Sequence, residues 1–235
     1  MKTLNLLVIS DLHANNDRLD KLDEQFKKAD GVIFAGDFAE CFKPETGKAA
    51  LDRLCKKHEN IFAVLGNCDN EQFMEDLENQ DICIEKSLVY FEGLALCGAG
   101  GGSKFTGKTE FERTEEEIIS DFDIIDSAIK DTGDASLWDS LVLVCHNPPK
   151  ATVVDAVNAE VHAGSPLFTE YIKEHQPVCV ICGHIHEGVG TEKIGNTLVI
   201  NPGSFGEKGT YCALTLNQDD EGKWSVKSAE IKESE

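Results

Sequence analysis

The sequence of 235 residues predicts an α/β fold. Short apolar runs rich in β-branched and aliphatic residues recur along the chain, and each ends in a polar or glycine-rich turn, as buried strands do. These runs lie at 4–10, 31–35, 61–65, 141–145 and 178–182. Helix-like stretches separate the first three runs, and strand alternating with helix is the pattern of an α/β sheet.

Two kinds of helix signal support this fold. The segment 16–29 carries Leu19, Leu22 and Phe26 at helical spacing. Thr114 and Glu117 resemble a capping box, which predicts that a third helix begins there. The predicted helical stretches are 16–29, 46–58, the segment from 114 onward, and 165–174.

The end of the chain has a different pattern. The strand-like segments 197–200, 211–216 and 224–231 follow one another without helices between them, which predicts antiparallel pairing. No internal repeat and no linker-like change in composition interrupts the sequence. We therefore expect one domain that spans residues 1–235.

Charge and hydropathy argue against several classes of function. The net charge of −21 is unfavourable for non-specific binding of nucleic acid, because phosphate contacts need Lys and Arg. No run reaches the roughly 20 apolar residues of a membrane helix. The first apolar run is too short for a signal peptide and lacks a cleavage site. The charge does not exclude binding of a small phosphate ester, because bound divalent cations could reverse the local field. We expect a soluble cytoplasmic protein that does not act at a membrane.

The nine cysteines are expected to be reduced and structural. Their number is odd, and they do not form the repeated C-x-x-C pairs of a structural zinc site. Several lie inside apolar runs, as buried thiols in reducing compartments do. Cys179 and Cys182 form a single C-x-x-C pair within a predicted buried strand, so a redox role is disfavoured.

Side chains that can bind metal follow almost every predicted strand. Because ligands gather at the carboxyl ends of strands in α/β sheets, we expect these side chains to converge from five loops. Each one alone has a simpler interpretation as a turn former or a helix cap. However, residues two apart on an extended segment face the same way, so a pair such as His184 and His186 can approach one site. The seven candidates are Asp11, His13, Asp37, Asn67, His146, His184 and His186.

The donor types favour a site for two metals. Carboxylate, imidazole and amide oxygen suit two divalent ions such as Mn, Fe, Zn or Ni. Two such ions about 3.5–4 Å apart need a shared ligand, and a carboxylate can bridge them. Asp37 is the candidate for the bridge because its strand is expected to lie centrally in the sheet.

The order of these motifs resembles that of the calcineurin-like metallophosphoesterase family, in particular its small bacterial and archaeal phosphodiesterase-like branch. The resemblance implies a four-layer αββα sandwich, in which two mixed β-sheets are flanked by helices. The matching motifs are Asp11-Leu12-His13, Gly36-Asp37, Gly66-Asn67-Cys68-Asp69, His146, Gly183-His184-Ile185-His186 and the later turn Asn201-Pro202-Gly203-Ser204.

The resemblance also implies a ligand assignment and a reaction. A hydroxide between the two metals would attack phosphorus in line, with Asn67 among the catalytic residues and small phosphodiesters as the substrates. The ligands of one metal would be Asp11, His13, Asp37 and His186, and those of the other Asp37, Asn67, His146 and His184.

Two positions depart from the family pattern. Many members have His directly after the motif asparagine, where it can protonate the leaving oxygen, whereas this sequence has Cys68. A thiol with an ordinary pKa of about 8.5 is a poor acid for an alkoxide, so the change favours diesters or activated esters. Cys68 is then a substrate-binding candidate. Glu40, where many members have Asp, is expected to lie outside the ligand set.

His162 is the candidate for a substitute acid and for a second substrate-binding residue. It lies in the glycine-containing loop His162-Ala163-Gly164-Ser165. The simpler interpretation is that it is an ordinary histidine of a loop.

Two other functions stay open. Residues 102–109 match the P-loop pattern of nucleoside triphosphatases letter for letter. That pattern needs a helix that begins at the Gly-Lys pair, whereas here the next predicted helix begins near 114, so a mobile loop near the metal site is favoured. Some relatives of the fold have lost their metal ligands and serve as non-catalytic scaffolds, but the ligand set here is complete.

Overall fold

A computed structural model describes residues 2–105, 107–151 and 153–234. The strands in these ranges are β1 Lys2–Ile9, β2 Gly31–Phe34, β3 Ile61–Ala63, β4 Val89–Phe91, β5 Leu94–Ala99, β6 Gly102–Ser103, β7 Glu112–Arg113, β8 Leu141–Cys145, β9 Cys179–Ile181, β10 Gly190–Ile194, β11 Thr197–Asn201, β12 Thr210–Gln218 and β13 Trp224–Glu233. The α-helices are α1 Asp23–Lys28, α2 Gly47–Leu54, α3 Met74–Asn79, α4 Glu115–Ser120, α5 Asp123–Thr132, α6 Pro166–His175 and α7 Phe205–Lys208. Short 3-10 helices occupy Asn16–Leu22, Pro44–Thr46, Glu71–Phe73 and Ala135–Ser140.

Two mixed sheets form the centre of the molecule. The first has the order β13-β12-β1-β2-β3, in which β1, β2 and β3 are parallel and β12 is antiparallel to both of its neighbours, β1 and β13. The second has the order β10-β11-β9-β8-β5-β4, with β5, β8, β9 and β11 parallel. The parallel strands run with their carboxyl ends toward one edge of each sheet, and the loops that follow them carry the candidate site.

Alternation of side chains along the strands builds three apolar layers. In β1, Leu6 and Val8 pack into the core between the sheets, whereas Leu7 and Ile9 pack toward the first helical layer. The second sheet follows the same rule, since Val142 of β8 lies in the core between the sheets. The outer face of that sheet packs against helices α4, α5 and α6. The result is the αββα sandwich that the family resemblance implies.

Most predicted elements are present, with differences in detail. Leu19, Leu22 and Phe26 are buried as expected, but the first helical stretch divides into a 3-10 helix and α1. The Thr114–Glu117 capping box is confirmed, with both of its hydrogen bonds formed. The prediction of antiparallel pairing is confirmed for β12 and β13. It is incomplete for β11, which lies parallel to β9 and antiparallel to β10.

Three ionisable residues, Arg113, Asp121 and Glu85, are buried near the glycine-rich segment that follows β5. Arg113 donates to both carboxylate oxygens of Asp121 and to the carbonyl of Gly100. Glu85 is also buried, and its Oε1 accepts the N–H of Leu65. Gly100 leaves room for this carboxyl, because a Cβ on Gly100 would lie 2.3 Å from Oε1. Burial raises the pKa of Glu85 from 4.5 to about 7.

The raised pKa of Glu85 predicts a pH dependence of stability. Between pH 4.5 and about 7 the folded chain keeps a proton that the unfolded chain has lost, so the free energy of unfolding falls as the pH rises through this window. In Glu85→Gln, this decrease in the free energy of unfolding should be smaller by about 3 kcal/mol. Urea denaturation of both proteins at about pH 5 and about pH 8 measures the difference, with exposed Glu59→Gln as control. Parallel pH profiles for the wild type and Glu85→Gln would contradict the assignment.

Candidate metal centre

The structure brings the seven predicted residues to one edge of the two sheets. Asp11, Asp37 and Asn67 follow β1, β2 and β3 of the first sheet, whereas His146 and His184 follow β8 and β9 of the second. Because the core between the sheets packs them face to face, the two sets of loops meet above it. Ligand-capable side chains from both sheets therefore point at one another.

One group of donors surrounds the Nε2 atom of His186. This atom lies 3.1 Å from Nε2 of His13 and 3.3 Å from Oδ1 of Asp11. The Nε2 of His13 in turn lies 3.8 Å from Oδ1 of Asp11. Three donors this close, with an open side toward solvent at His13 and His186, fit one metal ion.

A second group of donors surrounds the buried ring of His146. Its Nε2 lies 3.1 Å from Oδ1 of Asn67 and 3.6 Å from Oδ2 of Asp37. The same Asp37 oxygen lies 3.6 Å from Nε2 of His13, which belongs to the first group. Asp37 thus stands between the two groups, in the position that a bridging carboxylate would need.

The histidines are oriented as metal ligands are. Nδ1 of His146 donates to the carbonyl of Ala35 at 2.6 Å, and Nδ1 of His13 donates to that of Ala39 at 3.1 Å. In the neutral ring this assignment leaves the lone pair on Nε2, which faces the other ligands. Nδ1 of His186 similarly faces Oε2 of Glu207 at 3.3 Å. Fixing the second nitrogen by an oxygen is the usual support of a histidine ligand, so these residues fit a metal.

Burial and neighbouring charges shift the pKa values of two histidines at the site in opposite directions. Burial lowers the pKa of His146, but the carboxylates of Asp37 and Asp11 outweigh it and raise the value to about 9. His184 is also buried, and burial together with the neighbouring His146 lowers its pKa to about 4. At pH 7 the ring of His184 is therefore neutral, whereas that of His146 is protonated, and a bound metal would have to displace its proton.

The backbone at the site is unusual. Four of the seven residues have left-handed φ angles that non-glycine residues seldom adopt: Asp11 at 54°, His13 at 47°, Asp37 at 60° and His184 at 66°. Such conformations persist only where the surroundings enforce them, and they concentrate at functional sites. Gly66 permits the closest approach, because a Cβ there would lie 1.9 Å from Oδ1 of Asp37.

Asp69 organises these loops, and the sequence pattern gave it no role beyond its place at the end of a motif. Its buried carboxylate accepts the N–H groups of Asp37, Phe38 and Ala39 at 2.8–3.2 Å and that of Gly66 at 2.8 Å. Burial and the adjacent Asp37 raise the pKa of Asp69 to about 7, against the effect of these donors. The only sequence signal for this role is the position of Asp69 at the end of the motif Gly66-Asn67-Cys68-Asp69.

The turn from Asn201 to Ser204 supports the site from the other side. Asn201 Nδ2 donates to the carbonyls of Ile185 at 2.9 Å and Val154 at 3.0 Å, which holds the loop between His184 and His186. Ser204 Oγ donates to the carbonyl of Asp11 at 3.1 Å. The turn therefore ties the loop after β9 to the loop after β1.

Cys68 is not the free thiol that the sequence predicted. It forms a disulfide with Cys41, and the expectation that all nine cysteines are reduced is wrong for this pair. The two residues are 27 positions apart, and their Cα atoms lie 4.8 Å apart because the loops after β2 and β3 are adjacent. The backbone N–H of Cys68 donates to Oδ1 of Asp37 at 2.8 Å.

The other two candidate residues, His162 and Glu40, are paired with residues outside the ligand set. Nδ1 of His162 bonds to the buried carboxylate of Asp155 at 2.9 Å, a residue outside the seven. Glu40 is exposed and pairs with Nζ of Lys43 at 2.7 Å, as expected for a residue that is not a ligand.

The P-loop pattern at 102–109 has a different structure from a nucleotide site. No helix begins at Gly107 and Lys108 in the described residues, and Thr106 lies outside them. The carboxylate of Glu112 instead accepts the N–H groups of Phe105, Gly107, Lys108 and Thr109 at 2.8–3.2 Å. These bonds lower the pKa of Glu112 to about 2, in spite of some desolvation. An internal carboxylate thus occupies the donors that a bound phosphate would use.

No helix among the described residues has the length and apolar character to cross a membrane. A protein of Methanocaldococcus jannaschii described as uncharacterized protein MJ1162 is 30% identical over 210 residues, which cover 86% of this chain and 89% of that protein.

Two solved structures show the same fold. The protein TT1561 of Thermus thermophilus is 16% identical with a TM-score of 0.69, and the match covers 100% of both chains. A putative 5'-nucleotidase from Staphylococcus aureus is 15% identical with a TM-score of 0.64, covering 99% of this chain and 54% of that one. Residues 4–188 match the calcineurin-like phosphoesterase family, to which the chain therefore belongs.

Proposed function

We propose that the protein hydrolyses a phosphodiester, or an activated phosphoester, with two divalent metal ions. The supporting observation is the position of Asp37, whose Oδ2 lies 3.6 Å from Nε2 of both His13 and His146. One ion would bind Asp11, His13, Asp37 and His186, and the other Asp37, Asn67, His146 and His184. Mn, Fe, Zn and Ni all suit these nitrogen and oxygen ligands.

Bound metals would supply Lewis acidity for the phosphoryl oxygens and lower the pKa of a water that attacks phosphorus. The side chains of the site hold the ligand atoms in position for the ions. Carbonyls hold the rings of His13 and His146 with Nε2 inward, and Asn67 presents its amide oxygen beside His146. The hydrogen bond from the Cys68 N–H leaves Oδ2 of Asp37 free for the ions.

The proposed preference for diesters and activated esters rests on the proton donor. A leaving alkoxide needs an acid, and the sulfur after Asn67 has no proton to give because it is bonded to Cys41. Esters whose leaving groups depart as stable anions avoid this need. His162, held by Asp155, stays a candidate for an acid or a substrate contact.

We also propose that residues 1–235 act as one domain in the cytoplasm.

Hydrolysis of bis-p-nitrophenyl phosphate tests the function. We expect turnover that needs a divalent metal, is abolished by a chelator, and exceeds the turnover of the monoester p-nitrophenyl phosphate. His184→Ala should abolish metal binding at one position, so elemental analysis should find one ion per chain in place of two. His175→Ala, outside the ligand set and stacked on Trp138, is the matched control. No turnover with any divalent metal between about pH 6 and about pH 9 would overturn the proposal.

Asp69→Asn tests the support of the bridging residue. An amide can accept fewer of the four N–H groups and offers its own N–H to them, so the loops that hold Asp37 should shift. We expect metal affinity or kcat/KM to fall by about 10–100-fold. Calorimetric titration with Mn²⁺ measures the first quantity. Asp76→Asn, at a partly exposed position of α3, should bind metal as the wild type does. Equal affinity of Asp69→Asn and the wild type would refute the role.

Lys108→Ala separates the proposal from a P-loop enzyme. In a P-loop this lysine contacts the transferred phosphate, and its loss abolishes activity. Here we expect less than about a twofold change in phosphodiester hydrolysis and no ATP hydrolysis in either protein. Loss of all activity in Lys108→Ala would instead indicate that the loop binds the substrate.

A further inference from the structure

The disulfide between Cys41 and Cys68 lies at the edge of the candidate metal centre. Its two sulfur atoms and a ring nitrogen of His13 lie within 4.8 Å of one another. Cys68 directly follows Asn67, and its N–H holds Asp37. The disulfide is therefore connected to ligands of both proposed metals and to the proposed bridge.

The remaining cysteines have a different environment. All nine lie in the described ranges, and the seven outside this pair are free. Five of those seven are fully buried, and burial raises the pKa of each thiol, which makes it inert. Cys55 and Cys83 are half-buried, and neither belongs to a group of metal-capable side chains in the described residues.

The two sulfurs of the disulfide differ in access. Cys68 is only 1% exposed, whereas Cys41 is half-buried at the tip of a tight turn closed by the Lys43 N–H on the Glu40 carbonyl at 2.9 Å. Phe42, next to it in this turn, is 64% exposed. A thiol from solution therefore reaches Cys41 first.

We propose that the Cys41–Cys68 disulfide is reversible, and that its reduction creates a site with His13 for a sulfur-seeking ion such as Zn²⁺ or Cd²⁺. A thiolate of a dithiol reductant attacks Sγ of Cys41. The S–S bond breaks, and Cys68 leaves with the electron pair as a thiolate. The second thiol of the reductant then resolves the mixed disulfide, which frees Cys41 and leaves the reductant as its own disulfide.

Reduction would change the metal preference on the His13 side of the centre. Carboxylate oxygens suit Mn²⁺, whereas two thiolates and an imidazole select softer ions. His13 can serve one ion at a time through Nε2, since Nδ1 is held by Ala39. A soft ion would thus withdraw His13 from the dinuclear centre. This competition rests on the proposed function, but disulfide exchange and soft-metal binding do not.

Cysteine usage in the rest of the chain agrees with reversibility. Seven free thiols are typical of proteins from reducing compartments, and disulfides that form there are usually transient or redox-sensing. A pair with one accessible sulfur beside a metal-capable histidine meets that description.

Differential alkylation of the folded full-length chain tests the exchange. After dithiothreitol under native conditions, iodoacetamide should label Cys41, and mass spectrometry should no longer find the peptide that links it to Cys68. Label at Cys55 serves as the internal reference. Labelling of Cys41 only after denaturation would show a permanent structural disulfide and would overturn the proposal.

Titration with Cd²⁺ tests the metal site. The reduced wild type should develop the ultraviolet sulfur-to-cadmium charge-transfer band, and the oxidised protein should not. Cys41→Ser should lose the band, Cys55→Ser should keep it, and His13→Ala should weaken Cd²⁺ binding. Cys41→Ser is the main variant because Cys41 is half-buried between exposed neighbours, whereas Cys68 is fully buried. A band of equal strength in reduced Cys41→Ser and reduced wild type would refute the site, whether or not the chain hydrolyses phosphoesters.

Discussion

The candidate centre depends on the hydrogen bonds that the buried carboxylate of Asp69 accepts from the backbone. Four backbone N–H groups from the loops after β2 and β3 face one buried point. Each would cost about 1–3 kcal/mol if it were buried without a partner, so the loops can adopt these conformations only with an acceptor between them. Asp37 can then keep its left-handed φ of 60° and place Oδ2 between two histidines. A residue that does not face the proposed metals thereby sets the position of the residue that would bridge them.

Similar backbone ties hold the second sheet to the first. The Asn201–Ser204 turn follows β11 of one sheet, yet Ser204 bonds to the carbonyl of Asp11 in the other. Asn201 holds the loop of His184 and His186 through carbonyls. The packed core fixes the distance between the sheets, and these polar contacts fix the loops above it, so the two halves of the ligand set face each other before any ion binds.

The sequence predicted the fold and the convergence of the seven residues because both follow from local pattern. Apolar runs mark buried strands, and polar residues directly after them must lie at the sheet edge. Pairing between distant segments has no such signal. Nothing in the sequence pairs Cys41 with Cys68, since adjacency of their loops appears only when β2 and β3 pair. The parallel pairing of β11 was missed for the same reason.

The P-loop match shows how far a motif depends on its surroundings. Consecutive backbone N–H groups can bind either a phosphate or a carboxylate, and here they bind the carboxylate of Glu112 from the same loop.

In a chain with a net charge of −21, a phosphoester has few other sites that attract it. Two divalent ions would carry more positive charge than Asp11 and Asp37 carry negative charge, so the proposed centre would attract anions locally. A diester, with a single negative charge, would meet less repulsion from the rest of this acidic surface than a doubly charged monoester, and this argument for the proposed preference is independent of the proton donor.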